Sequence, residues 1–323
     1  MVINFILKEG ECLAKILIGG SIAYDHLMKF PGHFKEQILL EKIHHLSVSF
    51  LVESLQKIRG GTAPNIAYNI ALVGMEPVII GTAGQDFPEY AKWLRENRVD
   101  TKYIRVLSDD YTASCFITTD LDNNQITEFY PGAMAKDAEL SLKDIDAKEI
   151  GMMVIAPTEP AAMIKWALEC QELNIPYLFD PGMQIPRLSA ADLIKGILGA
   201  RVVIFNEYEH SMMLEKTGLT NDEILDSVEL IVETLGEKGS RLTNKERHVH
   251  VPAAKPYRIV DPTGAGDAFR AGLLKGYFEG TSLELMGKYA GVTAVYAIEY
   301  QGGTGHKYTM EEFQQRFKEN FGG

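Results

Sequence analysis

Cysteine is scarce: Cys12, Cys115 and Cys170 are the only three in 323 residues, odd in number and far apart. They build neither a disulfide framework nor a paired metal knuckle, and a reducing compartment is the simplest setting. Basic residues are also short, with 32 Lys and Arg against 44 Asp and Glu, a formal charge of -12. That deficit argues against a phosphate-tracking nucleic-acid binder and against a protein drawn to anionic membranes, since both need a basic face. No segment approaches the ~18 uninterrupted apolar residues of a membrane helix. The opening MVINFILKEGECLA has no basic stretch ahead of its apolar run and no convincing cleavage site, so neither export nor a spanning segment is expected, and the expected location is cytoplasmic. No GxxxxGK[ST] and no GxGxxG following a strand occurs, which excludes a Walker loop and leaves a dinucleotide Rossmann site unsupported. Internal repeats and low-complexity tracts are absent. The pairs His44-His45 and His248/His250 do not read as metal sites, because adjacent residues of a strand point to opposite sides and the second pair lacks a third ligand.

What is present is a regular alternation. KILIGG from Lys15 reads as a buried strand ending near Gly19, and GGTAPNIAYNIALVG as a helix with Pro64 near its start and Gly74 as its stop. VIIGTAG is a strand and EYAKWLRENRV a helix. From MMVIAP onward, apolar strand runs (IPYLFDPG, RVVIFN, ELIVETLG) alternate with helix-length segments at 160–173, at 188–198 and after Asn206. Strands without polar alternation, separated by helices, predict a parallel sheet covered on both faces. Two stretches break the rhythm. Residues 24–59 mix alternation with Pro31, Gly32 and clustered charge, and 112–130 reads as SCFITTD and ITEFY joined by an Asp/Asn-rich turn. Both are expected to be β-rich and half-exposed. SRLTNKERHVHVPA reads as a further hairpin, and Thr309 with Glu312 spells a capping box near the end.

The segment Asp261-Pro262-Thr263-Gly264-Ala265-Gly266-Asp267 places two glycines ahead of a helix. Free N–H groups and a partial positive charge collect there, which makes an anion site. On one reading the amides of Gly264, Ala265 and Gly266 hold a transferring phosphoryl group while Asp267, kept ionised by the helix dipole and therefore a weak base, takes a proton from an attacking hydroxyl. On the other, this is an ordinary glycine-rich loop with an acidic first turn.

DPTGAGDAFRAG, together with RGGTAPNIAYNIALVG earlier in the chain, resembles the two signatures of the ribokinase family, the PfkB carbohydrate kinases. The likeness spans Lys15 to Phe317. SIAYD, FYPGAM and the text after Asp267 lean toward the microbial nucleoside and adenosine kinases. The resemblance implies a ribokinase-like three-layer α/β/α sandwich with a small β-sheet lid: a core of residues 15–23, 60–110 and 131–323, lid segments 24–59 and 111–130, and an N-terminal extension, 1–14, of no assigned role.

It also implies roles. Asp267 matches the catalytic base and Gly264, Ala265 and Gly266 the anion hole. Asp25 matches the carboxylate that grips sugar hydroxyls, a task suited to a group that accepts from two vicinal hydroxyls at once. Gly60 and Gly61 match the hinge between lid and core, and Asn65 a second hydroxyl ligand. Asn206 and Glu209 match an NxxE element that works through Mg2+ and its waters, although Asn ahead of a helix is also an ordinary cap. Thr234, Gly236 and Gly239 match the loop that takes the phosphates and ribose of ATP. Asp261 and Thr263 match a monovalent-cation (K+) site. Three features depart from the family: Ser21 stands where Asn is usual, which makes one sugar contact shorter or water-mediated; Arg270 points either at phosphate or into a salt bridge; and residues 1–14 have no counterpart.

The expected activity is transfer of the γ-phosphoryl of ATP to a nucleoside 5′-hydroxyl. The rival is a sugar kinase of the same family, acting on ribose or fructose, and a non-catalytic relative is a third reading. A base needs an apolar or aromatic slot, and Phe116, Tyr130, Phe129, Phe30 and Met134 are its candidates, whereas a phosphosugar needs clustered cations, of which Lys42, His44 and His45 are the only group in the insertion. The resemblance leaves the oligomeric state open: some family members dimerise through lid strands and others are monomers, and an exposed sheet edge would permit a homodimer here.

Overall fold

The computed structural model describes residues 15–38, 44–45 and 47–322. The N-terminal extension, Cys12 and Lys42 lie outside the described residues.

The chain enters along β1 (Lys15–Gly19) and crosses into a second sheet with β2 (Ala23–Lys29). After a single turn of helix, α1 (Phe34–Gln37), it returns along β3 (Ser54–Gly60) and re-enters the core as α2 (Thr62–Leu72). Next come β4 (Pro77–Ala83), α3 (Pro88–Glu96) and β5 (Asp100–Val106), and the excursion β6 (Ala113–Thr119) to β7 (Gln125–Tyr130) follows. The remainder alternates: β8 (Ile150–Ile155), α4 (Pro160–Leu173), β9 (Tyr177–Phe179), α5 (Ala190–Ile197), β10 (Val202–Asn206), α6 (Glu207–Thr217), α7 (Asn221–Leu225) and β11 (Leu230–Thr234). The hairpin β12 (Ser240–Thr243) and β13 (His248–Val251) precedes α8 (Ala265–Phe278), α9 (Leu283–Ile298) and α10 (Met310–Phe321).

Nine strands form one sheet in the order β13-β12-β11-β10-β9-β8-β1-β4-β5. All its pairings are parallel except those that the β12–β13 hairpin makes. Strand alternation divides the core in two. Ile16, Ile18, Ile79, Met152, Val154, Leu178, Val202, Ile204, Leu230 and Val232 point to the face covered by α2, α3, α8, α9 and α10. Leu17, Val78, Ile80, Met153, Ile155, Phe179, Val203, Phe205 and Ile231 point to the face covered by α4 to α7. Both faces are dry, which is why these strands read as unbroken apolar runs and the architecture is a three-layer sandwich. No described helix is long and apolar enough to cross a membrane.

β5 has no counterpart in the sequence reading. DTKYIRV is mixed in polarity because it is the sheet's edge, pairing only with β4, and a half-solvated edge leaves no apolar signature.

The second sheet runs β3-β2-β6-β7, with β2 and β6 parallel and the outer pairs antiparallel. It forms the lid. In the main sheet, β1 lies between β4 and β8, so the chain leaves it first to one side and later to the other. Loops at the carboxyl ends of such strands part there and open a crevice. Gly20 and Ser21, which follow β1 directly, stand at that point.

Candidate active site

Gly264, at φ 79°, turns the chain into α8 with its N–H groups aimed outward. A Cβ at Gly264 would run into Gly303, so the loop after α9 packs directly on this turn. Asp261 ties the two loops together: its carboxylate accepts from the Thr263 N–H at 2.9 Å, the Gly302 N–H at 2.9 Å and the Gln301 side-chain amide at 3.1 Å. These donors hold its carboxyl below the usual carboxylate range although burial pushes the other way. Both oxygens are already engaged, so a monovalent cation here would meet the charge of Asp261 but not an idle oxygen. The exposed Thr263 side chain also helps to hold the Asp261 carboxyl low.

The anion hole differs from expectation in one member. The Ala265 N–H closes the turn onto the Pro262 carbonyl at 3.3 Å, which leaves the Gly264, Gly266 and Asp267 amides as the donors without a protein acceptor among the described residues. The Asp267 carboxylate stands in the first turn. Asn65, buried at the start of α2, donates its Nδ2 to Asp267 Oδ2 at 2.9 Å. Asn65 Oδ1 has no partner although it is buried, so one amide holds the carboxylate and offers an acceptor to an incoming hydroxyl. Burial pushes the Asp267 carboxyl up to about 6, while Arg270 and the Asn65 amide pull it down. A carboxyl near 6 is still mostly ionised at neutral pH and is a stronger base than a solvent-exposed one.

Opposite lies Asp25 on β2. No donor among the described residues reaches its carboxylate, and burial, with repulsion from Asp261 second, pushes it up to about 6. A Cβ at Gly60 would strike this carboxylate, so the glycine leaves room for it beside β3. Gly61, at φ 93°, then turns the strand into α2. Pairing defines the lid's inner face. Asp25 sits across from Ile58 and Cys115, and Cys115 across from Phe129. Leu27 and Ile117 follow on the same side two residues on. Ile58 reaches toward Gly302, so this face looks at the loop after α9 that Asp261 ties to the start of α8.

Phe116 and Tyr130 are therefore misplaced as base-slot residues. Phe116 pairs with His26 and stacks on its ring at 4.6 Å, and Tyr130 pairs with Ser114 and donates its hydroxyl to Asp110 at 2.7 Å. Both occupy the outer face, one residue out of phase with Asp25. Phe129, 51% exposed, is the aromatic on the inner face.

Ser21 is corrected likewise. Its Oγ accepts the Thr62 N–H at 3.1 Å and lies 3.3 Å from the Thr62 hydroxyl, which in turn donates to the Pro157 carbonyl at 3.0 Å. It caps the start of α2, a task the sequence did not announce. Asn206 and Glu209 form a full capping box on α6, with Glu209 N–H to Asn206 Oδ1 and Asn206 N–H to Glu209 Oε2 both at 2.8 Å. The cap leaves Glu209 Oε1 free, and burial pushes the Glu209 carboxyl above its ordinary range, with Asp180 adding to the push. Thr234 ends β11 beside Asn206, and the turn at Gly236 (φ 59°) and Gly239 (φ 99°) follows at the same sheet end.

One residue was missed in the sequence. Asp180, in the Asp-Pro-Gly that follows β9, has a side chain only 1% exposed and meets Arg270 at 2.5 Å. Its signal was an acidic residue at a carboxyl strand end directly before a turn. Two concave pockets, of about 470 and 380 Å³, lie elsewhere, one at the β12–β13 turn and one between the lid's outer face and α3. Neither includes Asp267.

Comparison with known proteins agrees with this layout. Residues 23–309 match the family described as pfkB family carbohydrate kinases. A nucleoside kinase from Methanocaldococcus jannaschii is 28% identical over 313 residues, covering 96% of this chain and 99% of that protein. The solved nucleoside kinase of Burkholderia thailandensis in complex with inosine is 36% identical, with a TM-score of 0.84 over 95% of this chain and 98% of that one. The same enzyme has been solved with ADP and inosine, 37% identical to this chain, with a TM-score of 0.83 over 95% of this chain and 96% of that one.

Proposed function

The chain belongs to the pfkB family of carbohydrate kinases, and on that premise we propose that it is a nucleoside kinase that moves the γ-phosphoryl group of ATP to the 5′-hydroxyl of the nucleoside. The observation that carries this reading is the pair of half-buried carboxylates Asp267, at the start of α8, and Asp25, against Gly60 at the end of β3. Asp267 stands among free helix-terminal amides, and Asp25 is left without any protein donor under the lid.

Asp25 accepts hydrogen bonds from the vicinal ribose hydroxyls, which offer it the donors the protein does not. Asn65 Oδ1 takes another hydroxyl and Asn65 Nδ2 keeps Asp267 in place. Asp267 Oδ1 faces the attacking hydroxyl and removes its proton as the phosphoryl group transfers. The amides of Gly264, Gly266 and Asp267 receive the charge on the transferring oxygens, an arrangement fixed before the substrate arrives. Asp180, Glu209 and Asp267 place three carboxylates around Arg270; a divalent cation brought in with ATP would neutralise phosphate charge there, and Glu209, whose Oε1 the α6 cap leaves unused, would hold its waters. Leu27, Ile58, Cys115, Ile117 and Phe129 supply the apolar slot for the base. Closure at Gly60-Gly61 excludes water, the competing acceptor.

The test is ADP release with Mg-ATP, with and without K+, against adenosine, inosine, guanosine, cytidine, ribose, fructose and fructose 6-phosphate. Turnover on nucleosides is expected, with Asp267→Ala lowering kcat by orders of magnitude and Asp25→Ala lowering acceptor kcat/KM by roughly 10²-fold or more, the worth of two charge-assisted hydrogen bonds. Turnover on sugars alone would overturn the nucleoside assignment, and near-normal turnover of Asp267→Ala would remove it as the base.

A further inference from the structure

Arg270 sits one turn beyond Asp267 on α8. Its Nε lies 2.5 Å from Asp180 Oδ2, with the two side chains 12% and 1% exposed. Its Nη1 lies against the anion hole, because a Cβ on Gly266 would stand 2.8 Å from it. Neither Nη1 nor Nη2 donates to a protein acceptor among the described residues, yet neither is among the buried polar atoms that lack partners. They are open to the crevice. Asp180 is fixed from behind, with its own N–H donating to the Ile155 carbonyl of β8 at 2.9 Å.

A buried ion pair of this kind adds little net stability, since removing two charges from water costs about as much as their attraction returns. The geometry instead favours orientation. The contact at Nε is an ion pair and not an aligned hydrogen bond, since Arg270 Nε and Asp180 Oδ1 both lack a hydrogen-bond partner. A guanidinium paired by charge along its Nε edge still presents its Nη donors in one plane, which matches two oxygens of a phosphoryl group.

We propose that Asp180 is a positioning residue whose buried charge pairs with Arg270 along its Nε edge, so that the free Nη donors of Arg270 complete the anion hole beside Gly266 and bind the transferring phosphoryl group. Arg270 is then a catalytic residue, and Gly266 is required as glycine because a methyl group would displace the guanidinium. The proposal rests on the kinase reading of the site.

The experiment is a double-mutant cycle on the full chain, measuring kcat, acceptor KM and thermal unfolding. Arg270→Ala is expected to lower kcat by about 10²- to 10³-fold, as loss of a preorganised donor does, with acceptor KM nearly unchanged. Arg270→Lys should lose most of this too, because it keeps the charge and lacks the fork. Asp180→Asn should cost roughly 10- to 100-fold through misplacement, and nothing further once Arg270 is already Ala. Added guanidinium should restore part of the activity of Arg270→Ala and none of that of Asp267→Ala. Should Arg270→Ala unfold because Asp180 is left buried and unpaired, the neutral pair Asp180→Asn/Arg270→Gln keeps a hydrogen bond at the site and should fold while losing kcat. A full Asp180→Asn loss persisting in the Arg270→Ala background would show that Asp180 acts on its own. Near-wild-type kcat in Arg270→Lys or in the neutral pair would likewise overturn the proposal. Silence of the wild type on every acceptor would remove the kinase reading and the proposal together, whereas wild-type turnover on any acceptor leaves the cycle to test Asp180 and Arg270 alone.

Discussion

Replacing Asn65 by Ala removes the 2.9 Å hydrogen bond that the amide gives to the Asp267 carboxylate. That bond is one of the two interactions holding the carboxyl down against burial, which has already pushed it up to about 6. A hydrogen bond to a charged group is worth about 1.5–3 kcal/mol, and 1.36 kcal/mol corresponds to one pH unit of titration. Losing it should therefore carry the acidic limb of kcat/KM upward by about one to two pH units, the lower figure applying if water fills the space. For a limb moved to ~7.5 the active fraction at pH 7 falls roughly fourfold and recovers by pH 9. The assay is a pH profile of kcat/KM, which reports the free enzyme and so matches the geometry described. Asn65 Oδ1 also offers an acceptor to substrate, and its loss lowers kcat/KM at every pH without moving the limb. Amplitude and position thus separate the two roles of one side chain. A profile whose limb stays in place while its amplitude falls would refute the claim that Asn65 tunes Asp267, and a limb that moves down would refute the sign.

Three further outcomes are expected. Phe129→Ala should raise nucleoside KM several-fold, while Phe116→Ala, on the outer lid face, should leave it within about twofold; equal effects would contradict the strand register. Ser21→Ala should lower stability by about 1 kcal/mol through loss of the α2 cap, measured as a lower denaturant midpoint, with acceptor KM unchanged; a raised KM with intact stability would return Ser21 to the sugar. Asp25 and Asp267, both pushed up to about 6, and Asp137, pushed up to about 7 by burial, bind protons in the folded state before they do in the unfolded chain, where the value is about 3.9. These three groups therefore lower stability as pH rises from about 4 to 7, so the ligand-free protein should melt higher at pH 5.5 than at pH 7.5 while activity runs the other way; a melting temperature that rises with pH across that window would contradict the burial of these groups.

What could be read in the sequence was whatever repeats a local rule. Both faces of the main sheet are dry, so its central strands are continuous apolar runs, and GAGD at a helix start announces an anion site by itself. What could not be read depended on phase or on partners distant in the chain. Phe116 and Phe129 are equally aromatic and equally β-prone, and only the pairing of Cys115 with Asp25 on one side and Phe129 on the other decides which faces the crevice. Ser21 became a cap because Thr62 arrives beside it, 41 residues later. The Ala265 N–H is taken by the Pro262 carbonyl, a turn bond that the spacing of glycines alone does not announce. Asp180 was overlooked since its meaning lies in Arg270, which is 90 residues away and contributed by the opposite layer of the sandwich.

The charge of the chain and the chemistry proposed for it meet at this site. A protein of formal charge -12 repels a polyphosphate over the whole surface, and the crevice adds Asp180, Glu209 and Asp267 around a single guanidinium. Raised carboxyls at Asp267 and Glu209 are the same fact seen from inside, since burial penalises their charge and Asp180 adds to it. On the proposed reading, anion binding falls to groups that carry no net charge, the Gly264, Gly266 and Asp267 amides, and to Arg270, which pairs with Asp180. Such a site discriminates. On the proposed function, a phosphate chain carrying its own divalent cation would be less repelled by these carboxylates than a bare one, so the acidic surroundings would favour the metal complex of ATP over the free anion.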